Sequence, residues 1–438
     1  MSTTTLTKNP YRGTRDFFPK EKRIQNYLFS VMKKTAESFG YEPYDGPLLE
    51  EVELYKAKSG EELINEQIYS FTDRGERFVA IRPEMTPTLA RMVAQVHREV
   101  PKPIRWYAIP NLMRYEKPQR GRLREHWQFN CDIFGAPEYL GEIEILNVAA
   151  ALLRNYGANE THFEILVNDR RVVDGLFKKV LNFEPETSHR LYKIIDKAKK
   201  VNAEALDKMV SEVINDQTKK SIFLEYLNLK SFPDLFSLLE KSNLTDELNV
   251  MKNFLTKIEG TELFKSVVYD PSIVRGLDYY TGLVFEIFDK HPENRRALCG
   301  GGSYANLLQI FKEDPLAGMG FGLGDVTLTD FLQTHNLLPD FTKVDLDVIV
   351  SYQTEAGYSR ATCLSESLRS FDLKVETLLG VNNFKKVFST AEKKGVDYVI
   401  FLGEEELNKN QVQIKNLKTK EQKIFAISDK DMMKEFLC

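Results

Sequence analysis

Residues 113–132 read MRYEKPQRGRLREHWQFNCD, a basic, glycine-containing segment with strand-forming residues on both sides. Aromatic and β-branched residues precede it at 104–107 and follow it at 133–134. This order predicts two strands joined by a basic hairpin loop. The loop interleaves its arginines with carboxylates, a glutamine and aromatic residues. That mixture favours polyphosphate binding over the alternative of a solvated charged loop.

A second cationic segment lies far downstream, where residues 274–282 read VRGLDYYTG. It places Arg275 five residues before Tyr280, and glycines stand at 276 and 282. A guanidinium stays protonated at any working pH and presents a planar fork to phosphate or carboxylate. Glycine lets a backbone or a ligand approach closely. We therefore expect the segment to bind an anion and a polar ring together, with a strand end carrying a surface ion pair as the alternative.

These two segments resemble signature motifs of the class II aminoacyl-tRNA synthetases, and the second resembles the signature of the histidyl-tRNA synthetases in particular. The first corresponds to motif 2, through RYE at 114–116, GR at 121–122, Gln128 and CDIFG at 131–135. Other parts of the chain resemble further family motifs: RGTRDFFP at 12–19 the amino-terminal segment, GY at 40–41 with PLL at 47–49 motif 1, RPEMT at 82–86 the amino-acid-binding turn, and GMGFGLG at 318–324 motif 3. The resemblance spans nearly the whole chain.

The resemblance implies an α/β (α+β) fold, in which an antiparallel-sheet catalytic core of class II type carries a helical insertion and a carboxy-terminal α/β anticodon-binding domain. Residues 1–168 and 269–335 are expected to form the core. Residues 169–268 are rich in Lys and Glu with apolar residues at helical spacing, which predicts the insertion. Beyond a linker at 337–340, strand patterns at 344–352, 373–379, 397–402, 411–417 and 422–427 alternate with helical patterns that end at 368 and span 383–394, and they predict the domain at 344–438. In the core, the spacing of apolar residues predicts an amphipathic helix over 22–39.

The resemblance also implies a two-step reaction, in which ATP activates L-histidine and the aminoacyl group then passes to tRNA(His). Arg114 and Arg275 would act as the catalytic cations on the α-phosphate and the carboxylate. Both would also belong to the ATP site, together with Glu116 at the adenine amine and Arg122 at the distal phosphate. Mg²⁺ would arrive with ATP.

The histidine site implied by the resemblance has three parts. The substrate ammonium would be received by Glu84, Thr86 and Gln128. The two imidazole nitrogens would be read by Asp132 and Tyr280, with Tyr279 and Tyr304 completing the pocket. A polar partner for each ring nitrogen is chemically sensible, because an apolar competitor would leave those partners unpaired.

The chain departs from the family pattern at three positions. The arginine that usually ends motif 3 is replaced by Thr327, which leaves Arg295 and Arg296 as candidate donors of the missing ATP contact. The imidazole carboxylate is Asp132, one methylene shorter than the usual Glu. The adenine-stacking aromatic is replaced by His126, and Trp127 stands beside it.

Composition limits the other functions. The 438 residues carry a formal net charge of −4, so RNA binding must come from local basic patches. The four cysteines form no CxxC pair, which predicts free thiols and no structural metal. The apolar run at 145–153 is far below the roughly 18 residues of a membrane span, and the chain start lacks an apolar secretory core. The lysines at 197, 199 and 200 are expected to form a solvated helix face.

A cytoplasmic homodimer with Pro47 at its interface, and no membrane partner, follows from the resemblance. Two alternatives stay open at this point. One is a non-catalytic paralogue that binds histidine as the regulatory subunit of ATP phosphoribosyltransferase. The other is an ATP-dependent ligase unrelated to tRNA. The alternating pattern after residue 344 speaks against both.

Overall fold

The computed structural model describes residues 6–57, 63–274 and 280–437. The chain folds into two compact units. The first consists of residues 25–338 together with the amino-terminal residues up to Phe18, and the second of residues 339–438 together with Pro19–Ile24.

The elements up to residue 334 follow in chain order. The strands are β1 Glu42–Pro43, β2 Leu49–Glu51, β3 Tyr69–Thr72, β4 Phe78–Ile81, β5 Ile104–Ala108, β6 Asn111–Met113, β7 Glu125–Phe134, β8 Phe163–Asp169, β9 Val267–Tyr269, β10 Leu283–Asp289, β11 Ala297–Tyr304 and β12 Gly318–Gly324. The helices are α1 Pro19–Ser38, α2 Val52–Lys56, α3 Thr86–Val96, α4 Leu140–Asn155, α5 Arg170–Gly175, α6 Pro185–Lys197, α7 Ala203–Ser211, α8 Gln217–Leu227, α9 Phe232–Lys241, α10 Thr245–Ile258 and α11 Asp325–Thr334.

In the described part of the chain, the core of the first unit is a nine-stranded sheet of order β1-β5-β7-β12-β11-β10-β8-β9, with β6 paired to β7. Its interior pairs are antiparallel, whereas β1 pairs with β5 and β8 with β9 in parallel. A small separate sheet has the order β2-β4-β3. The large antiparallel sheet confirms the predicted fold class.

The two faces of the large sheet are covered differently. Side chains alternate between the faces of a strand, so Asp132 and Phe134 of β7 lie on one face and Cys131 and Ile133 on the other. Phe134 packs with residues of α3 in a buried apolar cluster. The opposite face packs against α4 and α11. The face shared by Asp132 and Phe134 therefore becomes the floor of the candidate site.

The segment between β8 and β9 is helical, from α5 to α10. Four of its helices begin with a polar side chain that accepts a backbone N–H of the first turn: Asp169, Asn202, Asp216 and Ser231. Such caps satisfy donors that the helix itself leaves unpaired. The frequent caps explain why this stretch forms several short helices.

The second unit contains a five-stranded sheet of order β14-β13-β15-β16-β17. Its elements are β13 Val348–Tyr352, α12 Gly357–Arg369, β14 Val375–Thr377, α13 Phe384–Lys394, β15 Tyr398–Leu402, α14 Glu404–Asn408, β16 Gln411–Asn416, β17 Gln422–Ala426 and α15 Lys430–Leu437. The first three strands in this order pair in parallel and the last two pairings are antiparallel. Every strand expected after residue 344 is present.

Candidate active site

The basic hairpin predicted from residues 113–132 is present, but its loop is shorter than expected, because it is formed by β6 and by β7, which begins at Glu125 within the predicted loop. Met113 lies opposite Glu125 in the ladder, and the next residue continues it because the Arg114 N–H donates to the Arg124 carbonyl over 2.8 Å. The tip is closed by a bridge between Gln119 and Arg122, with Gly121 at φ +71°. Glycine adopts this left-handed conformation without strain, which explains its place at the tip.

Arg114 is fixed beside the turn at residues 82–86, the segment that resembles the amino-acid-binding turn of the family. Its Nε donates to the Pro83 carbonyl at 2.9 Å. The turn is held from the other side as well, because Arg82 Nε donates to the Asn111 carbonyl at 2.9 Å. Glu84 of this turn is buried, and Thr86 is the half-buried first residue of α3. Three sequence-predicted site residues are thus brought together.

Glu116 and Arg122, the two residues expected at opposite ends of ATP, form an ion pair with each other. The Glu116 carboxylate is buried, whereas 43% of the Arg122 side chain is exposed. Both line a cavity of about 120 Å³ together with Arg114, His126 and Thr327. The pair neutralises one of the two arginines that line the cavity, and Arg114 leaves it with a net positive charge.

His126 faces this cavity as a neutral ring. Burial lowers the pKa of His126 to about 3, and the positive charges of Arg114, Arg15 and Arg122 add to the effect. Trp127 lies on the other face of β7, where its ring meets that of Phe17 edge to face at 5.2 Å between centroids. Of the two aromatic candidates for adenine, only His126 is directed into the cavity.

The amino-terminal segment supports the hairpin. The carbonyl of Gly13 accepts the Arg124 N–H at 2.9 Å, and the Arg124 guanidinium lies over the Tyr115 ring, 4.0 Å from its centroid. Arg15 forms a 2.7 Å ion pair with Asp325 at the start of α11, and the other Asp325 oxygen accepts the Trp127 N–H at 3.0 Å. The motif resemblance at 12–19 therefore reflects a supporting role around the hairpin.

Asp132 lies at the centre of a polar pocket on the same sheet face. The Tyr304 hydroxyl donates to Asp132 Oδ1 at 2.5 Å, and both residues are buried. Burial raises the pKa of Asp132 to about 7, and the hydrogen bond from Tyr304 opposes that shift. Near neutral pH the carboxyl is therefore poised between its two protonation states.

Glycines form the floor beneath these polar side chains. Asp132 lies across from Gly320, and Gly320 from Gly302. A Cβ at Gly320 would overlap the Asp132 carboxylate and lie 2.9 Å from the Tyr304 hydroxyl oxygen, and one at Gly302 would lie 2.6 Å from Cδ1 of Tyr280. The glycines are needed because Asp132 and Tyr280 occupy the space directly above them.

Gln128 extends this site towards the hairpin. It lies four residues before Asp132 on the same face of β7, and a Cβ at Gly322 would lie 2.6 Å from its Nε2. The described structure thus gathers the polar side chains around Asp132 and the arginine-lined cavity on one sheet face. Arg275 and Tyr279 lie outside the described residues.

Sequence reasoning did not find Tyr44. Burial raises the pKa of Tyr44, and the negative charge of Asp132 adds to the shift. Its hydroxyl is buried and has no hydrogen-bond partner within the described ranges. Tyr44 packs on Trp106, which is opposite Asp132 in the β5–β7 ladder. No motif marks Tyr44, because its link to the site is made by strand pairing.

Among the described residues, Cys131, Cys299 and Cys363 form no disulfide bond, and the first two are buried. Within residues 6–57, 63–274 and 280–437, His, Cys, Asp and Glu side chains form no group of three that could hold a metal ion. None of the described helices is both long and apolar enough to cross a membrane.

A large antiparallel sheet that carries a basic hairpin beside a glycine-floored polar pocket is the catalytic architecture of a class II aminoacyl-tRNA synthetase. Comparison with known proteins gives the narrower assignment. Residues 13–326 match the family described as "Histidyl-tRNA synthetase", and residues 347–437 match the "Anticodon binding domain". The chain belongs to the histidyl-tRNA synthetase family.

Individual relatives agree along the whole length. The chain is 43% identical to the histidine–tRNA ligase of Leptospira biflexa over 97% of its own residues and 96% of that protein. It is 35% identical to the histidine–tRNA ligase of Thermoplasma volcanium, over 95% of this chain and 96% of that protein. The crystal structure of histidyl-tRNA synthetase from Nostoc sp. PCC 7120 has the same fold, with a TM-score of 0.82, 22% identity, and coverage of 98% of this chain and 100% of that one.

Proposed function

We propose that this protein is a histidine–tRNA ligase, which activates L-histidine with ATP to histidyl-adenylate and transfers the aminoacyl group to tRNA(His). The observation that carries the proposal is that the Asp132 pocket and the arginine-bearing hairpin share one sheet face. Amino acid and ATP can therefore be held with their reacting groups together. The catalytic core is assigned to residues 1–168 and 269–335, the insertion to 169–268 and the anticodon-binding domain to 344–438.

The first step needs positioning and positive charge more than a nucleophilic side chain. The histidine carboxylate attacks the α-phosphate of ATP and pyrophosphate leaves, so negative charge builds on the phosphate oxygens. Fixed cations aimed at those oxygens lower the barrier. Arg114 suits this role because its Nε is anchored on Pro83, and Arg275 is proposed as the second cation. Mg²⁺ enters with ATP as part of the substrate.

The ATP site is proposed at the 120 Å³ cavity of the hairpin. Glu116 would accept a hydrogen bond from the adenine amine, and Arg122 would bind the distal phosphate. Bound ATP would therefore replace the ion pair that Glu116 and Arg122 form with each other. His126 would stack on adenine. With a pKa near 3 the ring stays neutral throughout the physiological range, and stacking is therefore independent of pH.

The histidine site is proposed around Asp132. Asp132 and Tyr280 would each bind one imidazole nitrogen, Tyr304 would orient the carboxylate of Asp132, and Tyr279 would complete the pocket. The shorter side chain of Asp132 is consistent with Tyr304 standing directly against it. The substrate ammonium would be bound by Glu84, Thr86 and Gln128, which lie towards Arg114.

The regulatory-paralogue alternative is not favoured, because relatives named as histidine–tRNA ligases cover the chain from end to end and residues 347–437 match an anticodon-binding domain. The deciding experiment measures two activities of the full chain. We expect histidine-dependent exchange of pyrophosphate into ATP, and charging of tRNA(His) in preference to other tRNAs. A folded protein that binds histidine but performs neither reaction would contradict the proposal.

Histidine binding should depend on pH through Asp132. An ionised carboxylate accepts a hydrogen bond from the imidazole N–H, and the pKa of about 7 means that ionisation increases as the pH rises through neutrality. The Kd of L-histidine should therefore fall as pH rises, by up to roughly tenfold per pH unit below this pKa. Calorimetric titrations from about pH 5.5 to 8.5 would measure it.

Asp132→Asn is the control, because histidine's own imidazole also titrates, near about 6.5. In the variant, the Kd of L-histidine should no longer change with a transition near pH 7, but the transition due to the imidazole of the substrate should remain. If the two pH profiles differed only by a constant factor, Asp132 would not be the titrating group.

A cytoplasmic homodimer is proposed, with its interface near the motif 1 residues. Exposed apolar side chains lie there, because Leu48 precedes β2 and the side chains of Leu49 on β2 and Phe71 on β3 share one face of the small sheet. A contiguous exposed apolar patch marks an interaction surface. Pro47 immediately precedes these residues.

Leu49→Asp should weaken the dimer at least about tenfold, because it would bury a charge against apolar surface. Sedimentation equilibrium over a range of protein concentrations would measure the shift towards monomer. Ile424→Asp is the matched control, since Ile424 is an exposed apolar residue on β17 of the second unit. Equal association of Leu49→Asp and the control would place the interface elsewhere.

A further inference from the structure

The side chain of Arg296 crosses the tip of the basic hairpin. A Cβ at Gly121 would lie 3.0 Å from Cδ and 3.8 Å from Nε of Arg296, and 3.5 Å from Cγ2 of Thr327. The guanidinium-bearing chain therefore runs beside the residue that replaces the motif 3 arginine. Arg296 immediately precedes β11 and is half-buried, whereas Arg295 is exposed.

Thr327 cannot supply the missing cation, and its hydroxyl is already engaged with backbone. The single O–H of Thr327 has two backbone acceptors within reach, the carbonyls of Gly324 at 3.2 Å and Leu298 at 3.3 Å. Leu298 is two residues from Arg296 on the same chain segment. Thr327, which occupies the position of the motif 3 arginine, is thus adjacent to the side chain of Arg296.

Arg296 lines one of two neighbouring cavities. This cavity has a volume of about 130 Å³, and its other charged lining residues are Arg120, Arg295, Glu293 and Asp330. The other is the 120 Å³ cavity that contains Glu116, Arg122 and His126. Gly121 and Thr327 line both, so the space proposed for adenine continues past the hairpin tip towards Arg296.

The charges at this junction favour an anion. No carboxylate of the described chain forms an ion pair with Arg296, although Glu116 is near enough for its negative charge to act on the Arg296 guanidinium. Burial lowers the pKa of Arg296, and the positive charge of Arg122 lowers it further. Two guanidinium groups in a partly buried site repel each other until an anion lies between them. A phosphate group accepts hydrogen bonds from both.

We propose that Arg296 binds the distal phosphates of ATP together with Arg122, and so takes over the ATP contact that the motif 3 arginine makes in related enzymes. The inference rests on the proposed ligase function for its substrate. The inference goes beyond that function because it names Arg296, which lies outside the motifs that resemble the family. Arg296 reaches the triphosphate from the β10–β11 connection.

The test compares binding of ATP with binding of AMP, because a residue that touches only the distal phosphates affects the first alone. Arg296→Ala should weaken ATP binding by about 10- to 100-fold, the range for a lost hydrogen-bonded charge contact, and leave AMP binding unchanged. Arg295→Ala should weaken ATP binding much less. Arg296→Met keeps the length of the side chain and gives a second variant should Arg296→Ala fold poorly. Calorimetry with a non-hydrolysable ATP analogue supplies the affinities.

A transfer experiment adds an independent measure. Placing the arginine at its usual position, as Arg296→Ala with Thr327→Arg, should recover part of the lost kcat/KM for ATP in pyrophosphate exchange. Equal losses for ATP and AMP, no loss for either, or a larger loss in Arg295→Ala would each contradict the proposal. Failure of the wild-type protein to exchange pyrophosphate with histidine would instead contradict the ligase function, because the comparison of ATP with AMP needs no turnover.

Discussion

Arg114→Ala should lower the rate of histidine-dependent pyrophosphate exchange at saturating substrates by about 10²- to 10³-fold, the usual cost of removing one fixed donor from a developing oxyanion. Arg114 is the described residue best placed for this role. Its Nε is anchored on the Pro83 carbonyl, which leaves the outer nitrogens free to face the site, and its charge reaches the buried ring of His126. The loss should fall mainly on kcat, because the charge it meets grows in the transition state.

Two controls separate chemistry from folding. Arg98→Ala removes an arginine that is 68% exposed and pairs with Glu313 outside the site, and it should retain wild-type exchange. Arg114→Lys keeps the charge but loses the planar fork, so it should recover only part of the rate. A folded Arg114→Ala protein with near-normal exchange would remove Arg114 from the mechanism.

Gly320→Ala should abolish most histidine activation, with a loss of at least about 10²-fold in kcat/KM for histidine. The added Cβ would overlap the Asp132 carboxylate and come within 2.9 Å of the Tyr304 hydroxyl oxygen. Because Gly320 lies between β7 and β11 in the middle of the sheet, the strand cannot move aside, and the side chain of Asp132 must leave its position. Exchange kinetics with histidine and ATP varied separately would show the effect on histidine.

Gly324→Ala is the matched substitution on the same face of the same strand. There the nearest atom to the new Cβ is Oγ1 of Thr327 at 3.6 Å, an ordinary contact, so histidine affinity should be retained. Comparable losses of histidine affinity in both variants would mean that the strand, and not the Asp132 pocket, is responsible. Thermal melts of both proteins would check their folding.

Local signals were sufficient for much of the fold. The helix predicted over 383–394 is observed as α13 because Asn383 caps its start and Gly395, at φ +68°, ends it. The helix predicted over 22–39 is observed as α1, beginning at Pro19, a residue favoured in the first turn. The short helices α14 and α15 were not predicted. They span five and eight residues, which is shorter than the window of about 11 to 18 residues over which helical periodicity is recognised.

For the site, the sequence indicated which residues matter but not how they contact each other. The sequence predicted a hairpin that holds Arg114 on a strand; the hairpin is present, and Arg114 is the first residue after β6. The pairing of Glu116 with Arg122, the orphan hydroxyl of Tyr44 and the approach of Arg296 to Gly121 could not be anticipated, because each depends on tertiary packing. In each of these contacts, strand pairing or a long connection brings the two residues together. The roles assigned to the site residues remain predictions.

The ion pair between Arg15 and Asp325 has a consequence for how the protein is made. Its two residues are 310 positions apart, and they enclose nearly all of the first unit. During translation the amino-terminal segment leaves the ribosome first, and its partner emerges only after the sheet and the helical segment have been synthesised. The support of the hairpin can therefore be completed only late in synthesis. Nascent chains that stop before residue 325 should be unable to form an ordered nucleotide pocket, so unfinished protein would not retain ATP.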